Sequence, residues 1–153
     1  MAQIAEELLG FPVHFELTVQ NADKPPLDYL DLKHRLERFE PEDTIWLTRA
    51  DTFANKAELF PGVVFIVGAD TINRIGKTRF YGDSDEGLAT AIGQFQKTGC
   101  RFMVFGRQGK NGFETVRNLS IPPALCVLCQ EVPESQFRLD ISSTDLRTTE
   151  NGF

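Results

Sequence analysis

The sequence predicts an α/β domain built on a parallel β-sheet with helices on both faces. Apolar, β-rich segments alternate along the chain with amphipathic helical segments, and strands separated by helices of roughly 10 or more residues pair in parallel. "VVFIV" (63–67) is apolar at every position, as expected of a strand covered by helices on both sides. That strand stops at Gly68-Ala69-Asp70 and turns into a short helical segment, and in parallel sheets ligands bind beyond the carboxyl ends of the strands.

The elements follow in order. "QIAEELLG" places Ile4, Ala5, Leu8 and Leu9 on one helical face, and Gly10 stops the helix. "VHFELTV" (13–19) alternates and reads as a strand, and "NADKPP" is a loop whose prolines cannot continue it. Asp28 is a plausible N-cap for an amphipathic helix to about Phe39, with Tyr29, Leu32, Leu36 and Phe39 on its inner face. "TIWLT" (44–48) reads as a strand, and "DTFANKAELF" as a helix ended by Pro61-Gly62. After "VVFIV", Asp83 or Ser84 caps a helix whose inner stripe is Leu88, Ala91, Ile92 and Phe95, and Gly99 ends it. "RFMVF" (101–105) is a strand, Asn111-Gly112 marks a hairpin tip, "PPALCVLC" begins a helix with proline in its first turn, and a last strand covers 130–132.

A chain of 153 residues suits one domain, 1–153, with a single core, and 13 phenylalanines against two tyrosines and one tryptophan predict a core filled mainly by Phe. The net charge of −6 argues against a nucleic-acid partner, which needs a concentrated basic surface. It leaves a small phosphate ligand open, because a few local donors hold one. No apolar run approaches the roughly 20 residues of a membrane span, and nothing at Met1 reads as a signal peptide. A cytoplasmic protein with no membrane partner is therefore expected. Three cysteines, an odd number, argue against a disulfide framework. Cys126 and Cys129 form a lone C-x-x-C, expected to pack on an apolar helix face; zinc would need two more ligands, and His14 and His34 lie far away in sequence.

Two readings of "VGAD" stand side by side. In one, Gly68 allows a close approach and Asp70 faces a ligand; in the other, Gly68 makes the turn and Asp70 caps the next helix. A second segment, "ISSTDLR" (141–147), offers the hydroxyls of Ser142, Ser143 and Thr144 where a short helix starts, with Arg147 about one turn on. Free N–H groups at a helix start and a bidentate guanidinium suit a polyphosphate. The simpler alternative is a Ser/Thr cap beside a solvated arginine.

"VVFIVGAD", "RFMVFGRQG" and "ISSTDLR", in this order, resemble the carboxyl-terminal part of the nucleotidylyltransferase-like superfamily, closest to its nicotinamide mononucleotide adenylyltransferase and cytidylyltransferase-related group. The resemblance covers about residues 1 to 148. It implies a Rossmann-like, doubly wound parallel sheet. By motif, Ser142, Ser143, Thr144 and Arg147 would bind the phosphates of a nucleoside triphosphate. Gly68 and Asp70 would lie beside the ribose or second substrate, and Arg107 would line the nucleotide pocket. Lys24 in "ADKPPL" would meet a substrate phosphate, or else is simply exposed in a proline loop. The implied reaction transfers a nucleoside monophosphate group from ATP or CTP, with Mg²⁺, to a small phosphorylated acceptor and releases pyrophosphate.

The sequence departs from that family at one point. The family's first strand and glycine-rich turn lead into H-x-G-H, which stabilises the triphosphate during transfer. No H-x-G-H occurs here, and the sequence opens on what resembles the end of the helix that carries it. No residue of this sequence is thus assigned as catalytic. Either the chain begins inside a longer one, or the sheet lacks its first strand and closes over the gap or covers it with a second copy as a homodimer. A catalytically silent relative that binds nucleotide, or serves a structural role, is the alternative to an enzyme. An unrelated α/β domain with coincidental turns is the third reading.

Overall fold

The computed structural model describes residues 1–20, 27–109 and 112–137. Its first helix, α1 (Ala2–Leu9), ends at Gly10, whose φ of 71° is a left-handed stop suited to glycine. Strand β1 (Phe15–Thr18) follows. The Asp28 carboxylate accepts from the Asp31 N–H at 2.8 Å and starts α2 (Tyr29–Leu36). Strand β2 (Ile45–Thr48) leads to α3 (Phe53–Leu59), capped by the Thr52 hydroxyl. Then come β3 (Val64–Gly68), α4 (Ala69–Ile75) and α5 (Asp85–Thr98). The Ser84 hydroxyl is the cap of α5, accepting from the Gly87 N–H at 3.0 Å, while Asp83 takes a positive φ of 53° just before it. Strand β4 (Arg101–Phe105) is followed by a hairpin of β5 (Arg107–Gly109) and β6 (Gly112–Glu114). A short α6 (Pro123–Cys126) and β7 (Cys129–Val132) complete the described elements.

The architecture is α/β, and the strands joined by helices pair in parallel. They fall into two sheets: β1 with β2, and β3, β4, β7 in that order, with Gly68 opposite Phe105 and Phe105 opposite Val132. The antiparallel β5–β6 hairpin stands apart. Strand β4 lies in the middle of the three and is buried from Phe102 to Phe105. Its side chains alternate between two apolar clusters. Phe102 and Val104 join Val67, Ala57, Leu88, Ile92 and Phe95 on the side of α3 and α5. Met103, Phe105 and Val132 join Ala5 of α1, with Val64, Ile66 and Val13 around them. Helices therefore cover both faces of this sheet, which is why "VVFIV" and "FMVF" carry no polar residue. Phe102 sits against Phe53, Phe65 and Phe95 at ring separations of 6.1, 5.6 and 5.1 Å. The expectation of a core filled mainly by Phe is corrected: among the described residues only Phe95, Phe102 and Phe105 are buried phenylalanines, and Ala, Val, Ile and Leu fill most of the rest.

No hydrogen-bonded pairing joins β1 to β3 among the described residues. Helix α3 spans the two sheets instead. Lys56 Nζ reaches Glu16 Oε2 of β1 at 2.6 Å, while Phe53, one turn earlier, packs edge-on against Phe65 of β3 at 5.3 Å. The hydroxyls of Thr18 and Thr48, both buried, donate to Glu16 Oε1, so the carboxylate is held from three sides. On the other face, Val13, just before β1, packs into the cluster of α1, Val64 and Ile66.

Two further expectations are corrected. Tyr29 is 78% exposed and takes no part in the inner face of α2, which has no buried residue at all. Cys126 and Cys129 do not share a helix face: Cys126 ends α6 and is exposed, while Cys129 opens β7 half-buried. The C-x-x-C spacing straddles a helix end and a strand start, which the 3.6-residue period cannot describe. Helix α6 is accordingly only four residues long. Asn111, at the expected hairpin tip, lies outside the described residues; Gly112 pairs with Gly109 and carries the φ of 115° that the turn requires.

Candidate functional site at the carboxyl ends of β3 and β4

Three sequence-predicted residues meet at one edge of the three-stranded sheet. Gly68 is the last residue of β3, Asp70 lies in the first turn of α4, and Arg107 opens β5 two residues beyond β4. Strands β3 and β4 are parallel neighbours in register to their last residues, so the turn after one and the hairpin after the other rise side by side. The Arg107 guanidinium Nη1 is 3.3 Å from Asp70 Oδ2, and the two side chains are 37% and 57% exposed. The pair is open to solvent.

The cap reading of Asp70 is corrected. The residue before α4 is Gly68, and no side chain caps that helix. The Asp70 carboxylate turns across to Arg107 instead. Gly68 has an ordinary extended backbone, φ −83° and ψ 162°, so it is not selected for its dihedral freedom. Its role is spatial: a Cβ there would stand 2.9 Å from Asp70 Oδ1. What comes close to Gly68 is the carboxylate two residues on.

Gly106 completes the arrangement and carries no signal in the local sequence. A Cβ at this buried position would lie 2.4 Å from Cε1 and 2.6 Å from Cζ of Phe113, and 2.9 Å from the Glu114 carbonyl oxygen. Only glycine lets the β5–β6 hairpin fold back onto the end of β4, and that fold sets where Arg107 begins. Across the hairpin Arg107 is in register with Glu114.

Lys24, Ser142, Ser143, Thr144 and Arg147 lie outside the described residues. His14 precedes β1 and its Nδ1 accepts from Trp46 Nε1 of β2 at 3.2 Å, away from this edge. His34 lies within α2. A groove of about 360 Å³ runs along α2, lined by Tyr29, Leu32, Lys33, Leu36 and Glu37. It belongs to one helix and includes none of the site residues.

Among the described residues, no three or more His, Cys, Asp or Glu side chains gather in a way that would hold a metal ion. Among the same residues, no helix is long and apolar enough to cross a membrane. Burial pushes the Cys129 thiol up to about 12, with the neighbouring Cys126 adding to the rise, and its Sγ lies 3.3 Å from the Leu125 carbonyl oxygen. A thiol held protonated is a poor nucleophile. In comparisons with family models, curated proteins and solved structures, the chain has no match.

Proposed function

We propose that this chain is a nucleotidylyltransferase-like domain that binds ATP or CTP at the carboxyl edge of β3 and β4. One observation carries the reading: Gly68 and Asp70 of one sequence motif meet Arg107 of another at the ends of two adjacent parallel strands, the place where α/β sheets bind ligands. In this reading the two parallel sheets, β1–β2 and β3–β4–β7, are parts of one Rossmann-like sheet of the nucleotidylyltransferase type. Arg107 offers a bidentate guanidinium to a phosphate, and Asp70 offers an acceptor to a hydroxyl of the nucleotide or of the second substrate. By resemblance, Ser142, Ser143, Thr144 and Arg147 hold the remaining phosphates, and Lys24 meets the phosphate of the acceptor. Mg²⁺ enters with the nucleotide. The described carboxylates form no cage for it, and Mg²⁺ is commonly held by substrate phosphates and waters with few protein ligands.

The activity that belongs to this reading is transfer of a nucleoside monophosphate group to a small phosphorylated acceptor with release of pyrophosphate. The alternative is a catalytically silent relative that binds nucleotide at the same edge; no residue of the given sequence is assigned to the charge stabilisation that the transfer step needs.

Calorimetric titration with Mg·ATP and Mg·CTP, repeated on Arg107→Ala and Arg147→Ala, tests the binding claim. The expected result is saturable binding that each substitution weakens at least tenfold, or about 1.4 kcal/mol. No heat at millimolar nucleotide would sink the proposal. Binding without pyrophosphate release in the presence of phosphorylated acceptors would select the silent reading.

A further inference from the structure

We propose that Asp70 acts as a built-in competitor for the anion site, holding Arg107 in an ion pair that an incoming phosphate must break. This rests on the reading that phosphates enter at the carboxyl edge of β3 and β4.

The geometry supports an exchangeable lock. Asp70 Oδ2 and Arg107 Nη1 are 3.3 Å apart, and neither side chain is buried. Such exposed pairs contribute little, so a ligand with more than one negative charge can displace the carboxylate. The lock is nonetheless built with care. Gly68 leaves the space that Asp70 Oδ1 occupies, and Gly106 admits the hairpin that presents Arg107.

Two consequences follow from charge alone. In the empty state Arg107 is oriented and partly neutralised, so stray monovalent anions gain little there. When a polyanion takes Arg107, the freed Asp70 carboxylate remains nearby and repels it, unless the ligand also brings a hydroxyl or ammonium donor for that carboxylate. The site therefore favours phosphorylated compounds carrying such a donor over bare inorganic anions. Removing the Asp70 charge should relax this preference and raise affinity for bare anions.

The test is a calorimetric titration of the full chain with inorganic pyrophosphate, without metal, on the wild type, Asp70→Asn, Arg107→Ala and the double variant. Asp31→Asn makes the same charge change on α2 as a control. Asp70→Asn is expected to bind pyrophosphate about fivefold to tenfold tighter than wild type, with Asp31→Asn within about twofold of it. Arg107→Ala should weaken binding at least tenfold, and the double variant should match Arg107→Ala, because the Asp70 effect acts through Arg107. Equal or weaker binding by Asp70→Asn overturns the proposal, as does a gain that persists without Arg107. Thermal unfolding of each variant shows that it is folded.

Parallel titrations with Mg·ATP and Mg·CTP separate this inference from the nucleotide reading. Tighter pyrophosphate binding by Asp70→Asn with no nucleotide binding retains the lock and removes the nucleotide function. Nucleotide binding with no effect of Asp70→Asn on pyrophosphate does the reverse. No binding of any anion to any variant overturns both.

Discussion

The Asp70 carboxylate crosses from the first turn of α4 to the Arg107 guanidinium at 3.3 Å and does not cap its own helix. It reaches there because position 68 has no side chain. The pair joins the turn after β3 to the hairpin after β4, and that junction is the candidate site.

Gly68→Ala tests the spatial argument. The backbone at 68 is extended, so alanine brings no dihedral strain, and a carboxylate at the surface can move aside. The expected loss of stability is small, about 0.5–1 kcal/mol, read from the urea midpoint. The expected structural effect is larger: Asp70 leaves Arg107, seen as loss of the salt dependence of the Arg107 side-chain N–H resonance. An unchanged Asp70–Arg107 contact in the variant would contradict the account.

Gly106→Ala meets a rigid obstacle. The new methyl falls 2.4 Å from the Phe113 ring and 2.9 Å from a backbone carbonyl, so the hairpin must shift. Destabilisation of about 1–3 kcal/mol is expected, together with weakened nucleotide binding as Arg107 moves. Adding Phe113→Leu should recover part of the stability but not all, because the Glu114 carbonyl remains. Full tolerance of Gly106→Ala in denaturant unfolding would show that the hairpin is not seated as described.

The seam between the two sheets rests on a polar contact. Lys56 and Glu16 are 2.6 Å apart with side chains only 14% and 22% exposed, and Thr18 and Thr48 complete the carboxylate's partners. Lys56→Met would leave a largely buried carboxylate without its cation, at an expected cost of about 2–4 kcal/mol. The double variant Lys56→Met with Glu16→Gln should be more stable than Lys56→Met alone. Equal stability of wild type and Lys56→Met in urea would mean that α3 does not hold the sheets together through this pair.

Alkaline pH should destabilise the fold. Burial raises the Tyr81 hydroxyl from 10.0 to about 12 and the Cys129 thiol from 9.0 to about 12. Each group stays protonated in the folded chain after its counterpart in the unfolded chain has ionised, so the folded state binds more protons. Stability is therefore fully present below about pH 9 and falls as pH rises towards about 12. Thermal midpoints measured across that range should decline, and Tyr81→Phe with Cys129→Ala should flatten the decline. A profile unaltered in the double variant would assign the loss to other groups.

Much of this arrangement is legible in the sequence because it is local. The apolar runs of β3 and β4, the caps at Asp28 and Ser84, and the glycine stops at Gly10 and Gly99 each depend on residues within one turn. Gly68, Asp70 and Arg107 were visible as motif residues, but their meeting depends on β3 pairing with β4 some 37 positions later (Val64 with Arg101). Gly106 was not visible, since its reason is the Phe113 ring folding back on it. The seam escaped for the same cause: Glu16 and Lys56 are 40 residues apart. The separation of the parallel strands into two sheets is a matter of long-range pairing, which periodicity does not encode.

The most direct test of the central claim is a titration of the isotopically labelled chain with Mg·ATP and Mg·CTP, followed by amide chemical shifts. Binding at the proposed edge predicts that the largest saturable changes fall at Gly68, Ala69, Asp70, Gly106 and Arg107, and that in Arg107→Ala they need at least tenfold more nucleotide. Changes confined to the groove of Tyr29, Leu32 and Leu36, or no change at millimolar nucleotide, would contradict the account.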